Sequence, residues 1–423
     1  MNQESSPRAL ASAQFERAAR PSMAERMVLN RLARIASGSL VIESGRQRHR
    51  FGKPQTDLPN AMVQVHDERF WSAVALRGGV GAGEAYAHGW WTSEDPTTVV
   101  RLFVRNRPAM EGLEGGLALI SRPLMSTYHA LRRNTHSGSR ANISAHYDLS
   151  NDFFGLFLDE TMTYSCGIFA QPETTMREAS VAKIDLICRK LGLRPSDHLL
   201  EIGTGWGALA IHAAREYGCR VTTTTISRRQ HELATERVRA AGLAERVTLL
   251  TEDYRHLSGS YDKITSVEMI EAVGHRYFDE FFRRCSALLR PDGRMLLQAI
   301  TIADQHYESA LRSVDFIQRH IFPGSCIPSV TALCNSMTKA SDLRLVALED
   351  IGQHYVRTLA QWRRNLRSRW TEARALGFGE ELLRSWEFYF CYCEGGFAER
   401  QLSDVQMILE RPLARPDLTS PAN

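Results

Sequence analysis

Three glycines alternate in Leu199-Leu-Glu-Ile-Gly-Thr-Gly-Trp-Gly207, after an apolar run and an acidic residue, Glu201. Gly203 and Gly205 let the backbone pass close to a ligand where a β-carbon would clash. A strand running into such a loop serves hydride transfer and methyl transfer alike. The following strand-like run ends Thr-Thr-Thr-Thr-Ile-Ser-Arg-Arg-Gln, without the carboxylate that a nicotinamide enzyme would place on the ribose. Ser227 and Gln230 in that segment also have capping-box spacing, a reading compatible with ligand contact. A second acidic candidate, Glu271, lies at a strand end in Ser-Val-Glu-Met-Ile-Glu-Ala-Val-Gly. Two thiols are further candidates: Cys166 in Thr-Tyr-Ser-Cys-Gly-Ile-Phe, and Cys393 in Tyr-Cys-Glu-Gly-Gly-Phe. A nucleophilic cysteine needs an adjacent base, and neither string supplies one.

The elements that must position these residues alternate strand and helix. Strand-like runs occur at His198–Ile202, Arg220–Thr225, Val247–Thr251, Lys263–Val267 and Arg294–Ile300, with helical patterns between. That order predicts an α/β fold with a mostly parallel sheet and helices on both faces, its ligand at the carboxyl ends of the strands. Upstream, Met23 to Ile35 is patterned as a short basic amphipathic helix suited to a lipid surface, residues 40–65 as strands, and 69–131 as helices. The expected layout is a smaller N-terminal lipid-associating domain at 1–133, a linker at 134–142, a main domain at 143–412 and a tail at 413–423.

With 423 residues, 43% of them hydrophobic and 24% charged, the chain has the composition of a two-domain globular protein. No apolar run reaches the roughly 20 residues of a membrane span, and no signal-peptide core is visible, so a cytoplasmic location is expected. The eight cysteines form no CxxC pair or Cys/His cluster, so neither a metal site nor a disulfide framework is expected. Net charge is only +4, yet residues 1–50 hold nine Arg and no Lys against four Glu, and Arg132, Arg133 and Arg140 add a second basic cluster. An anionic partner is implied, a membrane surface rather than nucleic acid, because no nucleic-acid module accompanies the arginines.

Five strings together, His146-Tyr-Asp-Leu through Gly167-Ile-Phe169, the glycine loop, Met269-Ile-Glu-Ala-Val-Gly274, His320-Ile-Phe-Pro-Gly-Ser-Cys-Ile-Pro328 and Tyr392-Cys-Glu-Gly-Gly396, resemble the cyclopropane fatty acid synthases, including the mycolic acid cyclopropane synthases. The resemblance covers about residues 142–412. It implies a class I methyltransferase fold, Rossmann-like with a seven-stranded sheet, that uses S-adenosylmethionine on the cis double bond of a phospholipid acyl chain. Tyr164, Ser165, Glu201, Gly203, Gly205, Trp206, Gly207, Thr225, Gln230, Tyr254 and Arg255 would surround the cofactor. A bound bicarbonate ion would remove the proton that closes the ring, held by Cys166, Glu271, Gln298, the Ile300 backbone and Tyr355. Cys393 matches a cysteine of the family motif and is included as a catalytic candidate on that ground alone.

The implied chemistry sets its own demands. An alkene is a poor nucleophile, so the donor methyl must be aimed in a dry pocket, and the carbocation that follows is best faced by aromatic rings. Tyr164, Phe169, Tyr307, Phe316 and Tyr355 are the candidates. Where the family has histidine in Leu-Leu-His-Thr-Ile, this chain reads Leu296-Leu-Gln298-Ala-Ile300, an amide that cannot take up a proton near neutral pH. Cyclopropane formation is the expected activity, and methylene or methyl-branched products are the enzymatic alternative. A non-catalytic lipid- or cofactor-binding homologue and a methyltransferase for soluble acceptors are the other readings. The family also allows a homodimer.

Overall fold

A computed structural model describes residues 21–107 and 150–415 of the chain. The expected N-terminal tail, the linker at 134–142, the arginines at 132, 133 and 140, and the end of the C-terminal tail lie outside those residues.

The main domain is a seven-stranded sheet of β5 (His198–Ile202), β6 (Arg220–Thr224), β7 (Val247–Leu250), β8 (Tyr261–Val267), β9 (Leu289–Ile302), β10 (Arg344–Asp350) and β11 (Leu402–Glu410), in the order β10-β11-β9-β8-β5-β6-β7. From β9 to β7 the neighbours are parallel, and β11 enters antiparallel between β9 and β10. All five expected strands are present, two of them extended: β8 starts at Tyr261 and β9 runs from Leu289 to Ile302. The last two strands, β10 and β11, have no counterpart among the strand-like runs of the sequence.

Helix Met176–Leu191 shows how local chemistry places a functional side chain. Thr175 and Glu178 form a capping box at its start, and Gly192, at φ 62°, ends it in the left-handed conformation glycine tolerates. Between them Ile184, Ile187, Cys188 and Leu191 bury one face, and the same face carries Lys183 into the interior. Helix Glu380–Ala398 repeats the pattern with Leu383, Trp386, Phe390 and Phe397, each fully buried. Each such side chain contributes roughly 1.5–3 kcal/mol by leaving water.

The N-terminal unit has a four-stranded sheet, in which β1 (Ser39–Ser44) pairs with β2 (Gln47–Gly52) and β3 (Asn60–Val65), and β3 pairs with β4 (Trp91–Thr92). The helical stretch at 69–131 resolves, within the described residues, into Arg69–Ala87 and Pro96–Arg105. Helix Met23–Leu32 turns Val28 and Leu32 onto Arg69–Ala87, so these two apolar side chains already have a partner within the protein. Gly83 lets the helix approach the main domain, since a β-carbon there would lie 2.4 Å from Phe316 and 2.7 Å from Phe388. The two units share one hydrophobic core, stapled by helix Glu380–Ala398. Buried Glu387 accepts a hydrogen bond from Tyr86 at 2.9 Å and pairs with Arg367, and Glu394 accepts from Thr97 at 3.0 Å. Replacing Glu387→Leu leaves the Tyr86 hydroxyl buried and unpaired, and is expected to lower unfolding free energy by about 2–3 kcal/mol in a urea titration.

Candidate active site

The glycine loop leaves β5 with Gly203, Gly205 and Gly207 at φ 105°, 52° and 87°, a region that costs other residues strain. A β-carbon on Gly205 would meet nothing within 4 Å, so open space lies beside the backbone there. Beyond β6, buried Thr225 donates to the Gln230 side chain at 2.8 Å. The Ser227 hydroxyl accepts the Gln230 N–H, so half of the capping box forms while the amide side chain is kept for Thr225. Trp206 is buried, its indole N–H donating to Asn151 at 2.8 Å. Glu201 turns into the sheet, where the Thr223 hydroxyl donates to it at 2.6 Å and burial pushes its carboxyl up to about 8. Arg255 is paired with Asp253 at 2.5 Å and lies over the Tyr254 ring.

The pocket beneath is organised by a residue that sequence reasoning passes over. Glu268, directly after β8, has φ 47°, a conformation rare outside glycine and a mark of functional strain. Its Oε1 accepts from the Cys166 backbone N–H at 2.9 Å and from Gln298 Nε2 at 2.8 Å, and its Oε2 accepts from the Tyr355 hydroxyl at 2.5 Å. These are three of the groups expected to hold bicarbonate. The fourth, the Ile300 N–H, donates to Glu271 Oε1 at 2.6 Å. Glu271 Oε2 is buried without a hydrogen bond, and burial, with the Glu268 charge beside it, pushes this carboxyl up to about 8. The set does not fit a separate bicarbonate ion while Glu268 holds those donors, because a second anion would meet a carboxylate in place of N–H and O–H groups.

Lys183 and Asp404 complete the surroundings. Lys183 Nζ donates to the Ser165 hydroxyl at 2.8 Å, and burial pulls its ammonium down against the pull of nearby Glu268 and Asp404. Asp404, fully buried on β11, accepts from Gln298 Nε2 at 2.8 Å, and burial beside Glu268 pushes its carboxyl far up. Its other oxygen has no hydrogen bond.

Aromatic rings close the remaining side. The Tyr164 ring lies 5.2 Å from Trp362, 5.4 Å from Phe154 and 6.5 Å from Phe322, and its hydroxyl meets that of Tyr389 at 3.1 Å. Tyr355 stacks on Phe397 at 4.5 Å. Of the other aromatic candidates, Phe316 packs on Phe388 at the junction of the two units, and Phe169 lies under Arg357. Tyr307 is half-buried beside Cys326.

Cys166, Gln298, Ile300 and Tyr355 thus come together around Glu268 and its neighbour Glu271, with Tyr164 and Ser165 on the segment leading into Cys166. Cys166 enters through its backbone, and burial pushes its thiol well above the ordinary range, the opposite of an activated nucleophile. Cys393 has no hydrogen bond to this group among the described residues, and it packs in the shared core with its thiol pushed up by burial. Sequence reasoning misses Glu268, Lys183 and Asp404. The only signal for Glu268 is its place three residues before Glu271.

Two measurements follow from this geometry. Glu201 is raised on folding, so its neutral form is favoured at low pH and stability falls as pH rises from about 4.5 to about 8. Glu201→Gln should flatten that fall, read as the urea midpoint against pH. Cys166→Ser keeps the backbone donor and should retain turnover within about tenfold, whereas loss of a nucleophile would cost on the order of 10⁴ or more.

The model of the mycolic acid cyclopropane synthetase family matches residues 134–407. The tuberculostearic acid methyltransferase UfaA1 of Mycobacterium tuberculosis is 38% identical over 346 residues, 80% of each chain. The cyclopropane-fatty-acyl-phospholipid synthase of Escherichia coli is 34% identical over 356 residues, 83% of this chain and 88% of the relative. Among solved structures, the cyclopropane synthase MmaA2 of M. tuberculosis superposes with a TM-score of 0.60 at 32% identity, over 64% of this chain and 98% of its own. Mycolic acid cyclopropane synthase CmaA1, solved with SAH and CTAB, gives the same TM-score at 33% identity, over 64% of this chain and 98% of its own. Glycine loop, sheet order and family match agree: the chain belongs to the mycolic acid cyclopropane synthetase family of S-adenosylmethionine-dependent methyltransferases, which act on lipid acyl chains.

Proposed function

We propose that the protein methylates the cis double bond of a phospholipid acyl chain, with Glu268 as the base in the role that bicarbonate was expected to fill. The observation that carries this reading is the capture of the Cys166, Gln298 and Tyr355 donors by Glu268. The residues around the glycine loop, with Thr225, Gln230, Tyr164 and Ser165, are the proposed holders of S-adenosylmethionine, which supplies an electrophilic methyl group. One alkene carbon forms the new C–C bond and the other becomes a cation, faced by Tyr164 and its aromatic neighbours, which offer π density and no lone pair. Glu268 then takes a C–H proton, and the freed electron pair closes the product bond.

Where that proton comes from decides the product. Taken from the new methyl with bonding to the cationic carbon, it gives a cyclopropane; taken after a hydride shift, it gives a methylene branch. Both departures from the expected pattern, Glu268 and Gln298, fall on the proton acceptor and its support, so we assign the open-chain methylene product. The likeness to a tuberculostearic acid methyltransferase supports that choice.

Lipid analysis by mass spectrometry and NMR tests the reading. Wild-type protein with S-adenosylmethionine and monounsaturated phospholipid vesicles should add the mass of one CH₂ with vinylidene rather than cyclopropyl protons, and carbonate-free buffer should leave the rate unchanged. Glu268→Gln should lower turnover by about 10²–10⁴. Near wild-type turnover of Glu268→Gln, or a requirement for bicarbonate, would refute the base assignment; cyclopropyl protons would refute the product. No mass gain on any lipid would leave a binding homologue or a soluble-acceptor enzyme. The bilayer is the proposed partner, bound peripherally through the arginines of residues 1–50, and vesicle sedimentation should weaken as salt rises.

A further inference from the structure

Gln298 is the only side chain among the described residues seen to donate to both Glu268 and Asp404, and which way its amide points decides whether Glu268 meets a donor or an acceptor. A primary amide is nearly symmetric in shape, so packing alone does not fix its sense; hydrogen bonds must. Glu268 and Asp404 fix it from the pocket side, and a second set of bonds fixes it from across the sheet. Gln298 on β9 is the direct cross-strand partner of Gln406 on β11, which is in turn the partner of Glu349 on β10. Gln406 Nε2 donates to Gln298 Oε1 at 3.0 Å, and Lys190 Nζ donates to Gln406 Oε1 at 2.6 Å. Lys190, at the end of helix Met176–Leu191, also pairs with Glu349, whose side chain is 56% exposed. Gln298 and Gln406 are wholly buried.

An ammonium has donors and no acceptor, so Lys190 compels Gln406 to turn its oxygen outward and its NH₂ inward. Gln406 then meets Gln298 with a donor, Gln298 must answer with its oxygen, and its NH₂ is left facing Glu268. We infer that Lys190 and Gln406 are positioning residues of the reaction: through a row of aligned amides, a half-buried cation anchors and polarises the hydrogen bond that holds the base. The inference rests on the assignment of Glu268 as that base. Two amides in series add their dipoles in one direction, with the positive end toward the carboxylate, and the low-polarity interior preserves the effect.

Without Lys190 only the inner end, where Gln298 donates to Glu268 and Asp404, holds the sense of the row. Gln406 Oε1 is then left without its donor, and the amide that supports Glu268 loses its outer anchor. The other charged or titratable groups around Glu268 are Tyr355 from helix Gly352–Ser368, Lys183 from helix Met176–Leu191, Asp404 from β11, and Cys166 and Glu271 from the adjoining turns. All of them stay in place in the variants below.

The test compares full-length wild type, Lys190→Met, Lys190→Arg and Gln406→Leu on vesicles of monounsaturated phosphatidylglycerol with S-adenosylmethionine, as kcat and KM. Lys190→Met and Gln406→Leu should lower kcat about tenfold, the scale of a lost supporting hydrogen bond, with KM for both substrates unchanged. Lys190→Arg, also a pure donor, should restore the wild-type kcat. Calorimetric S-adenosylmethionine binding reports the fold of each variant, and the two substitutions at different ends of the row guard against a local folding defect in one. If Glu268→Gln abolishes turnover while Lys190→Met and Gln406→Leu keep the wild-type kcat, the row has no positioning role and this inference alone fails. If Glu268→Gln turns over normally, the base assignment fails first.

Discussion

Withdrawing a carboxylate even partly from water is costly unless its oxygens are hydrogen-bonded, and half-buried Glu268 answers that constraint from three directions. The turn carrying Cys166 brings a backbone N–H, β9 brings an amide, and helix Gly352–Ser368 brings a phenol. Each donor depends on a different element being docked, so the pocket exists only when the sheet, the turn carrying Cys166 and the helix layer have come together. The left-handed backbone of Glu268 belongs to the same arrangement, because it turns the chain off β8 and into the ring of donors.

The wider structure supports this point by dividing labour between polar and apolar surfaces. One side of the pocket is aromatic, built from Tyr164, Trp362, Phe322 and their neighbours, and the other is polar, built on the carboxyl ends of β8 and β9 and on β11. Helix Glu380–Ala398 belongs to both units: it packs Trp386 and Phe390 beneath the aromatic side while Glu387 and Glu394 reach the N-terminal unit. The N-terminal unit is thereby part of the frame that holds the aromatic side in place.

Much of the main domain is legible in the sequence because local rules govern it. The five parallel strands are apolar runs closed by turn residues, and the glycine loop declares its own geometry. The antiparallel pair is hidden for opposite reasons. β10 is a short edge strand exposed along its whole length, and β11 carries Asp404 and Gln406 at fully buried positions, which breaks the apolar run a central strand usually shows. The carboxylate site is half legible. Glu271, Gln298 and Tyr355 can be carried over from motifs, whereas nothing in the string around Glu268 identifies partners that come from residues 166, 298 and 355. Lys183 and Lys190 are invisible for the same reason: each reads as an ordinary helix residue until the sheet is laid beneath it.

The carboxylate at residue 268 is joined to the chain, and that has a consequence for the cell as much as for the site. A diffusible ion in the same place would be present in proportion to its concentration outside, so the catalyst would rise and fall with dissolved carbon dioxide and with the pH that governs it. A side chain cannot dissociate from its site. On the proposed reading the proton acceptor is complete from the moment of folding, and lipid modification is uncoupled from the gas and carbonate balance of the surroundings. What is given up is exchange: an anion that cannot leave must shed its proton to water before the next acyl chain arrives, so the opening of this pocket to solvent between turnovers becomes part of the cycle.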